Sequence, residues 1–218
     1  MSIFTKIFLF FWRRKAFNGF VQGNYEKALK YFKKIYQKKS NEKGIRYNLG
    51  LTYIALGRYQ KAEKYLKEQY ERDQHYINAK ALGDLYYLWG NAEKASEFYS
   101  KALLGADNKK DKNFLNRRIE ICEDKEKFEQ AQKAKEILEE ANELMNKDSY
   151  EQAIEKFKQS IDYDHTNFIA FNNLATIYMN QFQEYEKALK YFEKANDLTE
   201  NPVIKKNISN LKKAINDK

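Results

Sequence analysis

Proline occurs once in these 218 residues, at position 202, and glycine only eight times. A chain so short of turn residues is a poor candidate for a many-stranded sandwich or barrel and points to long regular elements. The one cysteine, Cys122, excludes an intrachain disulfide and has no companions for a structural zinc site. A reducing, cytoplasmic setting is the expectation. Only two histidines are present, His75 and His165, and both fall at boundaries between the repeats described below. Phosphate-binding glycine loops, paired zinc ligands and dinucleotide fingerprints are missing from the sequence. An enzyme needs a nucleophile, a base or a metal set held in common geometry. The chain therefore reads as non-catalytic, with no cofactor, metal or small-molecule substrate.

Long hydrophobic runs are also scarce. The opening MSIFTKIFLFFWRRKAF is apolar over a stretch far shorter than the roughly 20 residues that span a bilayer as a helix. Lys6 interrupts it, the basic cluster Arg13, Arg14, Lys15 follows it, and no small-residue cleavage site is evident, so it lacks a good secretory arrangement as well.

What the chain does have is aromatic and charged residues, 16% and 33% of the total. So many rings need somewhere to pack, which sets the composition apart from a disordered one. The formal charge of +9 permits attraction to nucleic acid, anionic lipid or an acidic partner. Part of that charge is lysine spread over solvated helical faces.

A repeat organises the sequence. Leu49, Gly50, Tyr53, Gly57, Ala62 and Leu66 return 33 residues later as Leu82, Gly83, Tyr86, Gly90, Ala95 and Tyr99. Upstream, Gly23, Tyr25, Ala28 and Phe32 stand 34 residues before Gly57, Tyr59, Ala62 and Leu66. In the last third, Ala141, Leu144, Ala153 and Phe157 recur as Ala175, Tyr178, Ala188 and Phe192. Each unit has a physical reading. Small residues at Gly50, Gly83, Ala141 and Ala175 let a neighbouring helix come close. The pairs Leu49/Tyr53 and Leu82/Tyr86 build one apolar stripe. Gly57 and Gly90 end that helix in a left-handed conformation, and a second helix follows. Such a pair is too short to bury its own faces unless the next pair stacks on it.

These motifs resemble the tetratricopeptide repeat (TPR) family, with the tryptophan-like start of the pattern in Trp12 and Ala16. The resemblance implies an all-α fold, a right-handed superhelical α-solenoid of antiparallel helix pairs. Three repeats are expected over 9–109 and two over 134–201. Residues 110–133 fit no full unit and read as a degenerate repeat or an extra helix. The fifth unit departs from the pattern, because Gln181, Phe182 and Gln183 replace the glycine turn. After Pro202, residues 202–218 read as a helix covering the end of the stack.

Stacked pairs rotate slightly and leave a concave surface lined by first helices, which in the resembling family often holds a peptide or helix. The candidate partner-binding residues there are Tyr47, Asn48, Leu51, Ile54, Lys80, Asp84 and Tyr87, and in the later repeats Leu138, Asn142, Asn172, Asn173, Thr176 and Asn180. Asparagine amides suit a peptide main chain, and exposed Tyr47 or Tyr87 would supply amphipathic contact area. Some members of the family hold a C-terminal carboxylate with Lys, Asn and Arg on successive first helices. Comparable places here carry Arg13, Phe17, Asn48, Ile77 and Ala81, only fragments of that set.

Residues 1–15 carry two readings. In one, they begin the first repeat helix and pack against the second. In the other, Phe4, Phe8, Phe11, Trp12, Arg13 and Arg14 contact an anionic membrane surface. Phe10, Phe11 and Trp12 are too consecutive to share one buried stripe, so at least one should be exposed. The leading function is a scaffold that binds a segment of another protein, or of a second copy, in its groove. A scaffold peripheral to a membrane is the alternative, and a basic nucleic-acid-binding repeat is a weaker one, since no sequence-specific binding motif is present.

Overall fold

The computed structural model describes residues 3–199 and 201–216, except the side chains at 3, 4, 202 and 216. Twelve α-helices and no strand occur among the described residues. In chain order they are α1 (Ile3–Val21), α2 (Tyr25–Lys38), α3 (Ile45–Ala55), α4 (Tyr59–Arg72), α5 (Tyr76–Trp89), α6 (Ala92–Gly105), α7 (Lys109–Glu123), α8 (Lys125–Asn146), α9 (Tyr150–Tyr163), α10 (Phe168–Asn180), α11 (Tyr185–Leu198) and α12 (Pro202–Asn216). They fall into two compact units, Met1–Gly105 and Ala106–Lys218.

In the first unit α1 packs on α2, α3 on α4 and α5 on α6, while α2 and α4 each pack on the first helix of the next pair. The small residues decide how closely. A Cβ added to Gly50 would lie 2.4 Å from Cγ of Leu66, and one added to Gly83 would lie 2.5 Å from the Tyr99 ring. Leu66 and Tyr99 are fully buried in the space those glycines leave. Gly57 and Gly90 sit at φ +66° and +83°, the left-handed conformation that ends α3 and α5.

The second unit stacks α8 on α9, α9 on α10, α10 on α11 and α11 on α12. Helix α7 contacts both α8 and α11. A break at Asp124 separates α7 from α8, and the Asp124 carboxylate accepts from the Lys127 backbone N–H at 3.1 Å, capping the longer helix. Arg118 on α7 is buried, its guanidinium 3.3 Å from Asp164 Oδ2 and 3.3 Å from the Thr166 carbonyl, so α7 is tied to the α9–α10 corner. Lys110 donates to the Thr199 carbonyl near its other end. Where the fifth repeat lacks glycine, Gln183 takes the turn at φ 54°. A side chain in that region costs about 1–2 kcal/mol relative to glycine.

No described helix is long and apolar enough to cross a membrane. Among the described residues no three His, Cys, Asp or Glu side chains group as a metal site would. Cys122 is buried on α7, and burial pushes its thiol up to about 12. His75 caps α5, its Nδ1 accepting from the Ile77 N–H at 3.3 Å.

Candidate functional site

The repeat register places equivalent residues on the same face of successive first helices. Arg13, Tyr47 and Lys80 are spaced by 34 and 33 residues, and so are Phe17, Leu51 and Asp84. On α3, Tyr47, Asn48, Leu51 and Ile54 are all half-buried. Burial pushes the Tyr47 hydroxyl up to about 12, with the Asp84 charge adding to it. On α5, Lys80 pairs with Asp84 at 2.8 Å, and the Tyr99 hydroxyl donates to the other Asp84 oxygen at 2.8 Å. Asp84 is thus held from both sides, and its carboxylate serves the helix pair before it serves a ligand.

Tyr87 differs from the expectation. Only 4% of it is exposed. It follows Gly83 by one helical turn, and the Tyr99 ring that fills the space over Gly83 meets Tyr87 edge-on at 6.3 Å. The tyrosine is core, not contact area. Leu138 is likewise buried, on the α8 stripe that includes Ala134 and Ala141.

In the second unit three asparagines join two helices. Asn173 on α10 donates to Asn142 Oδ1 on α8 at 2.8 Å, and Asn172 donates to Asn173 Oδ1 at 3.1 Å. Each amide has both donor and acceptor capacity, so the row ends in the Asn142 N–H2 on one side and the Asn172 carbonyl on the other. Thr176 turns its hydroxyl back onto the Asn172 main-chain carbonyl at 2.9 Å. Asn180 is exposed one turn further on.

Among the described residues, six of the twelve exposed large hydrophobic side chains lie on helix α1. Leu9 and Ala16 are buried, Phe17 meets Phe32 edge-on at 5.3 Å and Phe20 meets Tyr25 at 5.4 Å, so one side does pack on α2. Away from α2, Ile7, Phe8, Phe10 and Phe11 are each about half exposed or more. Of the residues assigned to membrane contact, Phe8 and Phe11 are in this set and Arg14 is exposed beside it. Trp12 is half-buried beneath Lys34, whose Nζ stands 5.6 Å from the ring centre. Arg13 is occupied by an ion pair with Glu42, and the Phe4 side chain lies outside the described residues. Ile7, Phe10, Phe17 and Val21 are exposed too, so the trio Phe10, Phe11 and Trp12 leaves two rings exposed where at least one was expected. Phe17 holds on α1 the register place that Leu51 holds on α3, 34 residues on.

Sequence profiles described as tetratricopeptide repeat or TPR repeat match residues 22–82, 81–104, 141–181 and 169–202, about two thirds of the chain. The chain belongs to the tetratricopeptide repeat family. The TPR fold is a non-catalytic repeat of the interaction-scaffold kind, and the TPR matches leave 105–140 uncovered, where α7 and most of α8 lie. Among solved structures, a MamA protein is 16% identical over 86% of this chain and 90% of its own, with a TM-score of 0.47. The TPR2AB-domain:pHSP90 complex of yeast Sti1 is 17% identical over 95% of this chain and 84% of its own, with a TM-score of 0.46. No curated protein matches the chain.

Proposed function

We propose that this TPR protein is a scaffold whose first-helix faces hold a segment of a partner protein, the two units offering different chemistry. The observation that carries this is the amide row Asn142–Asn173–Asn172, which bridges α8 and α10 and ends in a donor and an acceptor. A peptide main chain presents that alternation of N–H and C=O. In the first unit, half-buried Tyr47, Leu51 and Ile54 offer apolar area instead. The test is affinity capture from the native cell with quantitative mass spectrometry, comparing the wild type with N142A/N173A and with L51S/I54S. Loss of a defined protein at a strength of about fivefold or more per removed hydrogen bond is expected. An unchanged captured set in both variants, with unchanged thermal melting, would sink the assignment.

A second reading is favoured by α1: attachment of the scaffold to the surface of a membrane. Ile7, Phe8, Phe10 and Phe11 expose apolar surface next to Arg14 and Lys15, the composition of an interfacial helix end. Vesicle flotation that falls when residues 1–15 are removed supports this reading, and no loss overturns it.

A further inference from the structure

The end of the first unit where α1 begins is also where α2 finishes, and the two helices bring different groups to one place. Successive helical residues turn by about 100°. Ile7, Phe8, Phe10 and Phe11 therefore spread over nearly half the circumference of α1, while Leu9 holds the opposite side against α2. A groove-binding helix shows its partner a stripe. A surface this broad suits a medium that surrounds it, such as the acyl boundary of a bilayer.

Cations sit one turn behind. Arg14 and Lys15 follow Phe10 and Phe11 by four residues, a rise of about 6 Å along the helix axis. From α2, Lys34 lies over the Trp12 ring, and Trp12, Lys34, Gln37 and Lys38 line a shallow pocket. No carboxylate stands within ion-pair distance of Lys34 or Lys38 among the described residues. The unit as a whole is basic, with twenty Lys and Arg against nine Asp and Glu in residues 1–105.

We infer that this pocket is a headgroup site: the phosphate of an anionic lipid sits between Lys34 and Lys38 against the edge of Trp12, while Ile7, Phe8, Phe10 and Phe11 enter the acyl boundary beneath it. The inference rests on the membrane reading and adds the lipid chemistry to it. Lysine beside an indole at this depth is a favourable combination, because the ring occupies the interface and the ammonium reaches the phosphate layer. Each lysine near an anionic surface strengthens binding by about fivefold.

The test uses the full chain carrying W89F, so that Trp12 alone reports, with vesicles of pure phosphatidylcholine and of phosphatidylcholine mixed with phosphatidylglycerol. The expected result is a blue shift of Trp12 emission and cosedimentation with the mixed vesicles only. F8S/F10S/F11S should abolish both, and K34Q/K38Q should weaken binding more than tenfold, against less than about twofold for the distal pair K61Q/K64Q on α4; circular dichroism should match in all of them. Binding to neither vesicle overturns the membrane reading and the inference together. Binding that depends on the phenylalanines but falls equally with K34Q/K38Q and K61Q/K64Q overturns the headgroup site and leaves the membrane reading standing. Inorganic phosphate producing the same blue shift without vesicles also overturns the lipid site, in favour of a soluble anion.

Discussion

Residues 1–105 carry twenty basic side chains against nine acidic ones, whereas residues 106–218 carry twenty against twenty-two. The excess positive charge of the chain belongs to its first compact unit, and the second is close to neutral. The units also solve the same packing problem differently. Close approach in the first is made by Gly50 and Gly83, with Leu66 and Tyr99 filling the space, while the second uses Ala141 and Ala175 at the corresponding positions. The first unit's core is held mostly by rings and aliphatic side chains, and its buried Arg46 pairs with a half-exposed Glu68. In the second unit both members of the pair Arg118 with Asp164 are buried. One repeat scheme has thus been given two sets of surface and core chemistry, and nothing in the helix-pair geometry requires either.

The sharpest way to break this comparison is to attack the ion pair. Arg118→Met leaves Asp164 buried without its guanidinium and should cost about 3–5 kcal/mol. Both tryptophans, Trp12 and Trp89, lie in the first unit, so chemical denaturation should show a far-ultraviolet circular dichroism transition that moves while the tryptophan emission transition stays. Equal movement of both signals would mean that the units do not lose structure separately. Adding Asp164→Leu to the variant should recover much of the loss.

Gly83→Ala tests the packing difference in the first unit. The new Cβ would meet the Tyr99 ring at 2.5 Å, and displacing that ring also strains its hydrogen bond to Asp84. A loss of about 1–3 kcal/mol is expected, read as a lower midpoint of the tryptophan transition. A neutral result would show that α6 can retreat without penalty.

The smallest effect at neutral pH concerns Tyr47, whose hydroxyl burial holds at about 12. A raised pKa means that the neutral form is the one the fold favours, so its contribution is intact below about pH 10 and is lost as pH rises towards about 12. Tyr47→Phe should flatten that alkaline decline and remove one late-titrating tyrosine from the ultraviolet absorbance titration. An unchanged titration would place Tyr47 in freer contact with water than its surroundings suggest.

Much of this architecture is legible in the sequence because its determinants repeat. Gly50, Gly57 and Ala62 each announce a local requirement, a close approach or a left-handed turn, and the same requirement recurs at Gly83, Gly90 and Ala95. What was not legible depends on pairing between residues without such an echo. Arg118 meets Asp164 across 46 positions, and neither residue type signals burial by itself. Tyr87 has the chemistry of a contact residue, yet the ring of Tyr99 decides its burial. Ile7 and Val21 carry no such signal, because a hydrophobic residue in a helix is ordinarily read as core, and the packing of α1 on α2 is what reveals them as surface.

The solitary thiol on α7 has a practical consequence. Cys122 reacts as a thiolate, and with its acidity suppressed by burial it is silent while α7 lies in place. Alkylation of the native chain at mild pH is therefore expected to be slow, and to speed up when the end of α7 that carries Cys122 opens, without any label having to be introduced.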